Sequence, residues 1–249
     1  MKPKFTLFVM MMLTIASSCK KDSPPSSQVV PVKLLSKVTQ VQSGETSFTF
    51  YTYDDKHRLK TIKDPYGTLN YTYDGDFLSA IEPTLGSLGK IVMTYGDGKL
   101  SKAVRTFPDK IRTYGFIYSA DQVSEVHANE NGVVVNVDKH TYSNHNIIQT
   151  TSDYGQGLVT QQFIYGKGKN KFFNSAIPYI NGVETMDRYS SNEVLESKIS
   201  YANGSFLTIK NVYTYDSEGF PTTQISTYTT SSGASAGESR YSYEYQMSK

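Results

Sequence analysis

Short runs in which apolar and polar side chains alternate are the dominant pattern of this chain. In "LNYTYDGDFLSAI", Leu69, Tyr71 and Tyr73 alternate with Asn70 and Thr72, a period of two that predicts a strand with one aromatic face. Asp74, Gly75 and Asp76 then supply turn formers and "FLSAI" opens a second strand, so the unit is a β-hairpin. The plan recurs in "IVMTYGDGKLSKAV", "YGFIYSADQVSEV", "KHTYSNHNIIQT" and "NVYTYDSEGF". Between units lie further turn signals, at Asp64 to Gly67, Asn129 to Gly132, Asn181, Asn203 and Ser231 to Gly237.

Anchored on the tyrosine that closes each first strand, the units fall at Tyr53, Tyr73, Tyr95, Tyr118, Tyr142, Tyr165, Tyr189, Tyr215 and, more loosely, Tyr243, with spacings of 20 to 28 residues. A period of that size held along the chain means that one supersecondary unit is stacked. Two strands per unit predict an all-β, continuous antiparallel meander of about 16 to 18 strands. Strand twist makes so long a meander curl or close, so a large barrel or barrel-like sheet is expected rather than a flat sandwich. One feature resists a simple two-faced sheet. Leu59 and Ile62, Leu78 and Ile81, and Val123 and Val126 sit three apart, on opposite faces unless a bulge intervenes. The repeat is disturbed once, over "KGKNKFFNSAIPYINGVETM" from Lys167 to Met186, where a short helix or a long loop is expected.

Composition supports strands. The chain has 249 residues, enough for one large all-β domain, with 20 Tyr, 12 Phe and no Trp. Its start reads differently: Lys2 and Lys4 precede the apolar run Phe5 to Ile15, which is too short to span a bilayer, and Ala16, Ser17 and Ser18 lead into Cys19, the single cysteine. The expected organisation is a signal peptide over 1–18, a lipid-anchored linker rich in proline over 19–33, and one hairpin-repeat domain over 34–249. Removing Lys2 and Lys4 leaves 23 basic residues against 23 acidic ones, so neither a nucleic acid nor an acidic polymer is an expected partner.

Two resemblances follow from these residues. The stretch before Cys19 resembles the lipobox of bacterial lipoproteins, with Ala16 where Leu is usual, which implies acylation of Cys19. "YTYDDKHRLKTIKD", "YTYDGDFLSAI" and "YTYDSEGF" resemble the Tyr-Asp repeat of Rhs-type and teneurin-type surface proteins, with His57 in the pattern's glycine place and Arg58 and Leu59 matching it. With the lipobox in front, the chain resembles a domain-of-unknown-function family of Bacteroidetes lipoproteins with a porin-like β-fold. That resemblance implies a fold and an outer-membrane lipoprotein's address, at the cell surface or the periplasmic face. It implies no active site. A barrel that spans the membrane is not expected, because "KHRLKTIKD", "KLSKAVRT" and "LESKIS" place charges inside strands with no clean apolar face. The expected form is porin-like but soluble.

Candidate chemistry is sparse. His140 and His145 are five apart with Asp138 nearby, a spacing that suits no metal site, and both read as exposed turn histidines. "YDGDF" and "YGDGK" lack the continuing acidic ligands of a calcium loop. "GKGKNK" lacks the spacing of a phosphate loop, and Asp54 and Asp55 fall in a turn. No nucleophile elbow is present and the lone cysteine is assigned to lipid, so no catalytic residue, metal or cofactor is expected. The reading is a non-enzymatic binding module for a glycan or protein ligand, held at the membrane by its lipid. An envelope-assembly scaffold is the alternative, and a hydrolase has the least support.

Overall fold

In the computed structural model, residues 31–155, 157–172 and 190–248 are described, and residues from Pro31 onward form one compact unit. The strands are β1 (Lys33–Gln42), β2 (Glu45–Tyr53), β3 (Leu59–Asp64), β4 (Gly67–Asp74), β5 (Phe77–Pro83) and β6 (Lys90–Gly96). They continue with β7 (Lys99–Thr106), β8 (Ile111–Ser119), β9 (Gln122–Glu130), β10 (Val133–Ser143) and β11 (Asn146–Asp153). The last are β12 (Leu158–Lys169), β13 (Asn192–Ser200), β14 (Phe206–Tyr215), β15 (Pro221–Thr230) and β16 (Ser235–Met247). Each strand pairs antiparallel with its neighbours in sequence, and β16 pairs with β1 to close a barrel. Closure leaves no open sheet edge.

Bulges resolve the spacing of three. Thr52 pairs with Thr61 but Tyr53 pairs with Leu59, so Lys60 is the extra residue. The same skip occurs beside Tyr73, Tyr95, Tyr118, Tyr142, Tyr165 and Tyr215, always on the second strand just after the turn. It lets Leu59 and Ile62, Leu78 and Ile81, and Val123 and Val126 all face the interior, where each is buried. The bulged residue is often serine, whose hydroxyl donates back to the first strand: Ser79 to the Thr72 carbonyl at 3.0 Å, Ser101 to Thr94 at 3.0 Å and Ser124 to Ile117 at 3.2 Å. A hydroxyl thus replaces a hydrogen bond that the bulge takes from the ladder.

The repeated tyrosine has a defined task. Between hairpins the pairing stops short of the bulge; β3 and β4 begin at Thr61 with Asn70, and β7 and β8 at Lys102 with Gly115. Into each such seam the next hairpin's tyrosine sends its hydroxyl: Tyr53 donates to the Leu35 carbonyl, Tyr73 to Leu59, Tyr95 to Leu78 and Tyr118 to Leu100, at 2.8–3.0 Å. Tyr142 donates to Val123, Tyr165 to Ile147, Tyr213 to Val194 and Tyr245 to Pro221, at 2.7–3.1 Å. The ring of eight bonds passes through the closing seam, where Ser36 is the bulge and Tyr245 pairs with Leu35. Burial pushes the Tyr142 hydroxyl up to about 12, so it stays a donor at physiological pH.

Two of the anchors expected from the sequence are not the seam donors: Tyr213 takes the bond to Val194 in place of Tyr215, whose hydroxyl goes to Glu193, and Tyr245 replaces Tyr243. The closing position belongs to Tyr245, whereas Tyr243 faces the interior and donates to Gln224. β12 pairs with β13, and Tyr189, with most of the stretch from Lys167 to Met186 where a short helix or long loop is expected, lies outside the described residues. Lys167 to Lys169 are strand, which places the start of the disturbed stretch at Asn170.

The inner wall is apolar over β1 to β9 and holds buried polar side chains such as Asp138, His140, Ser226 and Ser239 further round, while the outer face mixes charged residues with exposed aliphatic ones such as Val92, Ile117, Ile164 and Val212. A core containing Leu35, Tyr51, Leu59, Tyr71, Ile81, Ile91, Tyr114, Phe116 and Val126 lines the inside, mostly from β1 to β9. The charged strand residues that defeated an apolar face in the sequence are sorted outward. Paired across strands are Lys139 with Glu125 and Lys210 with Glu196, each at 3.7 Å, and Lys37 with Glu244 at 2.8 Å. Lys102, Lys139, Lys198, Lys210 and Arg240 all stand at mid-strand on this outer face. At about 2–4 kcal/mol per cation in hydrocarbon, these five cost roughly 10–20 kcal/mol, as much as a domain's whole stability.

Candidate functional site

The start of β1, the end of β16 and the connections that follow the tyrosines lie at one end of the barrel, where the Ser248 amide donates to the Val32 carbonyl. The broken repeat lies at this end. Glu193 stands just before Val194, the residue paired with Tyr165, and is buried at 4% exposure. Its Oε1 accepts from the Tyr215 hydroxyl at 2.7 Å and the Gly168 amide at 3.0 Å, while Oε2 is buried without a partner. Burial, and then the carboxylate itself, push the Tyr215 hydroxyl far above its ordinary range. Gly166 and Gly168 make room: a Cβ on Gly166 would stand 2.0 Å from Glu193 Oε1, and one on Gly168 2.5 Å from the Tyr215 ring. Asn146, Asn192 and Ser190 tie the two ends of the connection together. The Asn146 amide donates to Asn192 Oδ1 at 3.1 Å, and the Ser190 hydroxyl donates to the Tyr165 oxygen at 2.7 Å.

The connection's first residues turn into the barrel. Phe172 is buried at 3% and meets the Tyr51 ring edge-on at 5.5 Å between centroids. β12 and β2 are six strands apart around the ring, so this contact crosses the interior. The Lys171 ammonium lies 5.6 Å from the Tyr243 ring on β16.

Further along the inner wall, Asp138 and His140 of β10 face Ser152 and Thr150 of β11. His140 is buried at 8% rather than exposed in a turn, which corrects the expectation, and His145 occupies the turn with φ of 63°. Parity explains it: His140 shares its face with Tyr142. The Ser152 hydroxyl donates to Asp138 directly, and His140 Nδ1 pairs with the Thr150 hydroxyl at 3.0 Å. Serine and aspartate thus pair with each other and histidine with threonine along one stretch of wall. Burial holds His140 below its ordinary pKa, and the Asp138 charge opposes that only in part. Among the described residues, no three His, Cys, Asp or Glu side chains gather as metal ligands would. Cys19 lies outside the described residues. Asp54 accepts from the Lys56 and Arg58 amides at 3.0 and 2.9 Å, and Asp55 is exposed beside it in the turn.

The opposite end carries a hollow of about 520 Å³ at the tips of the β1–β2 and β3–β4 hairpins, lined by Gln40, Gln42, Glu45, Ser47, Pro65 and Tyr66 among others. Tyr66 is 76% exposed, while its amide donates to Asp64 Oδ1 at 2.8 Å.

The fold has a solved precedent. A porin-like protein from Bacteroides uniformis superposes with a TM-score of 0.64 at 16% identity, over 85% of this chain and 98% of that one. No protein-family model matches the chain, and no curated protein is similar to it. The likeness is one of architecture, a closed all-β barrel. Sequence reasoning missed Glu193 and its two glycines. The signal available was a Gly-x-Gly inside a strand, where glycine otherwise weakens pairing.

Proposed function

We propose that this chain is a lipid-anchored protein of the bacterial envelope whose barrel is a rigid recognition scaffold and not a conduit. The observation that carries the reading is the contact of Phe172 with Tyr51 across the interior, at the end where the eight tyrosines ring the wall. A conduit needs an open lumen and an unbroken apolar outer belt; here apolar side chains pack the inside over β1 to β9, Phe172 reaches across it, and cations interrupt the outer face at mid-strand. The repeat tyrosines are engaged by carbonyls, so their faces are architecture and recognition falls to the ends of the barrel. Non-enzymatic recognition of a glycan or a protein, at the cell surface or the periplasmic face, is the function that fits.

The test uses the chain from Lys20 onward, purified without detergent. It should be monodisperse, release no sugar from preloaded liposomes, and bind saturably to isolated envelope fractions. A requirement for detergent together with rapid sugar release overturns the reading in favour of a pore. A folded chain that neither leaks nor binds favours the envelope-assembly scaffold.

A further inference from the structure

Most outward carboxylates at mid-wall are answered by a cation, as Glu125 is by Lys139, Glu196 by Lys210 and Glu244 by Lys37. The far hollow differs. Among the described residues Glu45 has no ion pair and Ser47 no side-chain hydrogen bond. Gln40 and Gln42 spend only one amide proton on each other, from Gln40 Nε2 to Gln42 Oε1 at 3.2 Å. That leaves a carboxylate, a hydroxyl, one full amide donor and a carbonyl oxygen turned toward the same space of about 520 Å³. The volume falls within the roughly 300–1,000 Å³ of small-molecule sites. Beside it stands the Tyr66 ring, at 76% exposure the barest of the large apolar side chains.

Holding an aromatic ring in water is unfavourable unless something covers it. The backbone under Tyr66 is nonetheless fixed. Asp64 accepts its amide, Gly67 takes the left-handed φ of 141° that the turn needs, and the Thr68 amide donates to the Thr84 hydroxyl at 2.9 Å. The ring is presented on a rigid support. A second, shallower hollow of about 230 Å³ continues over the rim past Pro65 to Phe48 and Phe50, which are 42% and 45% exposed and stand 6.4 Å apart.

We infer that this hollow is a binding site for a neutral oligosaccharide, with one sugar ring stacked on Tyr66 and its hydroxyls held by Gln40, Gln42, Glu45 and Ser47. The chemistry matches on each count. A pyranose has an apolar C–H face for an aromatic plane and a rim of hydroxyls that both donate and accept, which amides and a carboxylate satisfy together. Glu45 repels uronic acids and other anionic sugars, and the lining of the larger hollow holds no Lys or Arg, while Lys63 lines the smaller continuation beside Asp64. The continuation to Phe48 and Phe50 offers further rings room to follow along the outside of β2. A folded protein surface would suit the site less, because the hollow is concave and lined by short polar groups.

This inference rests on the recognition reading above, and its test is independent of membranes. Cellohexaose, xylohexaose, maltohexaose and mannohexaose are titrated into the chain from Lys20 onward by calorimetry, with a polygalacturonate hexamer as the acidic comparison. At least one neutral hexasaccharide should bind saturably and more tightly than the acidic one. Tyr66→Ala and Gln42→Ala should each weaken it roughly tenfold or more. Tyr154→Ala, at another exposed tyrosine, should leave it unchanged. Two results overturn the assignment: no neutral hexasaccharide binding up to about 10 mM, or binding that survives Tyr66→Ala in a chain of unchanged circular dichroism. If the sugars fail while envelope fractions still bind, the ligand class is wrong and recognition stands.

Discussion

Removing one hydroxyl from the tyrosine ring tests the architecture most directly. Tyr118 donates to the Leu100 carbonyl at 3.0 Å, in a seam where β7 and β8 pair only from Lys102 with Gly115 onward. In Tyr118→Phe the ring and its packing remain, and the carbonyl loses its donor inside a partly dry wall. A net hydrogen bond contributes about 0.5–1.5 kcal/mol, and stranding the acceptor costs about 1–3 kcal/mol, so the loss should be about 1.5 kcal/mol. For a barrel of this size that is a fall in Tm of roughly 3–6 °C. Tyr118→Ala also removes the ring and should cost about 3–5 kcal/mol, so the pair of variants separates the bond from the packing. Urea unfolding followed by far-ultraviolet circular dichroism measures both, with Tyr66→Phe as the comparison at an exposed hydroxyl. A Tyr118→Phe loss below about 0.5 kcal/mol would mean that water replaces the donor and that the repeat conserves a ring, not a bond.

Three further outcomes follow from single positions. His57 holds a φ of 61° in a turn where Gly219 holds 81° with the same Asp-anchored hydrogen bonds. His57→Gly should therefore raise stability by about 0.5–1 kcal/mol, the relief of left-handed strain less the entropy of a freer unfolded chain, and an unchanged denaturation midpoint would contradict it. Gly168→Ala drives a methyl against the Tyr215 ring and the buried Glu193 and should cost about 1–3 kcal/mol, whereas Gly115→Ala, where an added methyl meets nothing and the backbone is not left-handed, should cost little; equal effects would remove the case for a glycine cradle. His140 is held below the ordinary histidine pKa, so the unfolded chain takes up the proton first. Stability should be complete above about pH 6.5 and decline as pH falls below it, and His140→Gln should flatten that part of the Tm profile.

Much of this fold could be read from side-chain periodicity because the repeat is local. A strand of alternating Thr and Tyr, a turn led by Asp, and a second strand opened by an aliphatic residue are each written within about a dozen residues, and strand pairing between sequence neighbours follows. Curling or closure followed as well, since so many twisted strands do not lie flat. Three features lay beyond that reach. The spacing of Leu59 and Ile62 left two readings open, and only the register decided that Lys60 is squeezed out as a bulge. The repeat showed that tyrosine recurs, but the acceptor for each hydroxyl is a carbonyl 14–24 residues earlier on the neighbouring hairpin's strand. The candidate sites needed the third dimension most. His140 turned inward because of its parity with Tyr142, Glu193 found its glycines across a hairpin, and Gln40, Glu45 and Tyr66 met at the rim of one barrel end. Local pattern determined the unit and its stacking; closure decided which side chains share a space, because residues distant in sequence become neighbours only once the ring is complete.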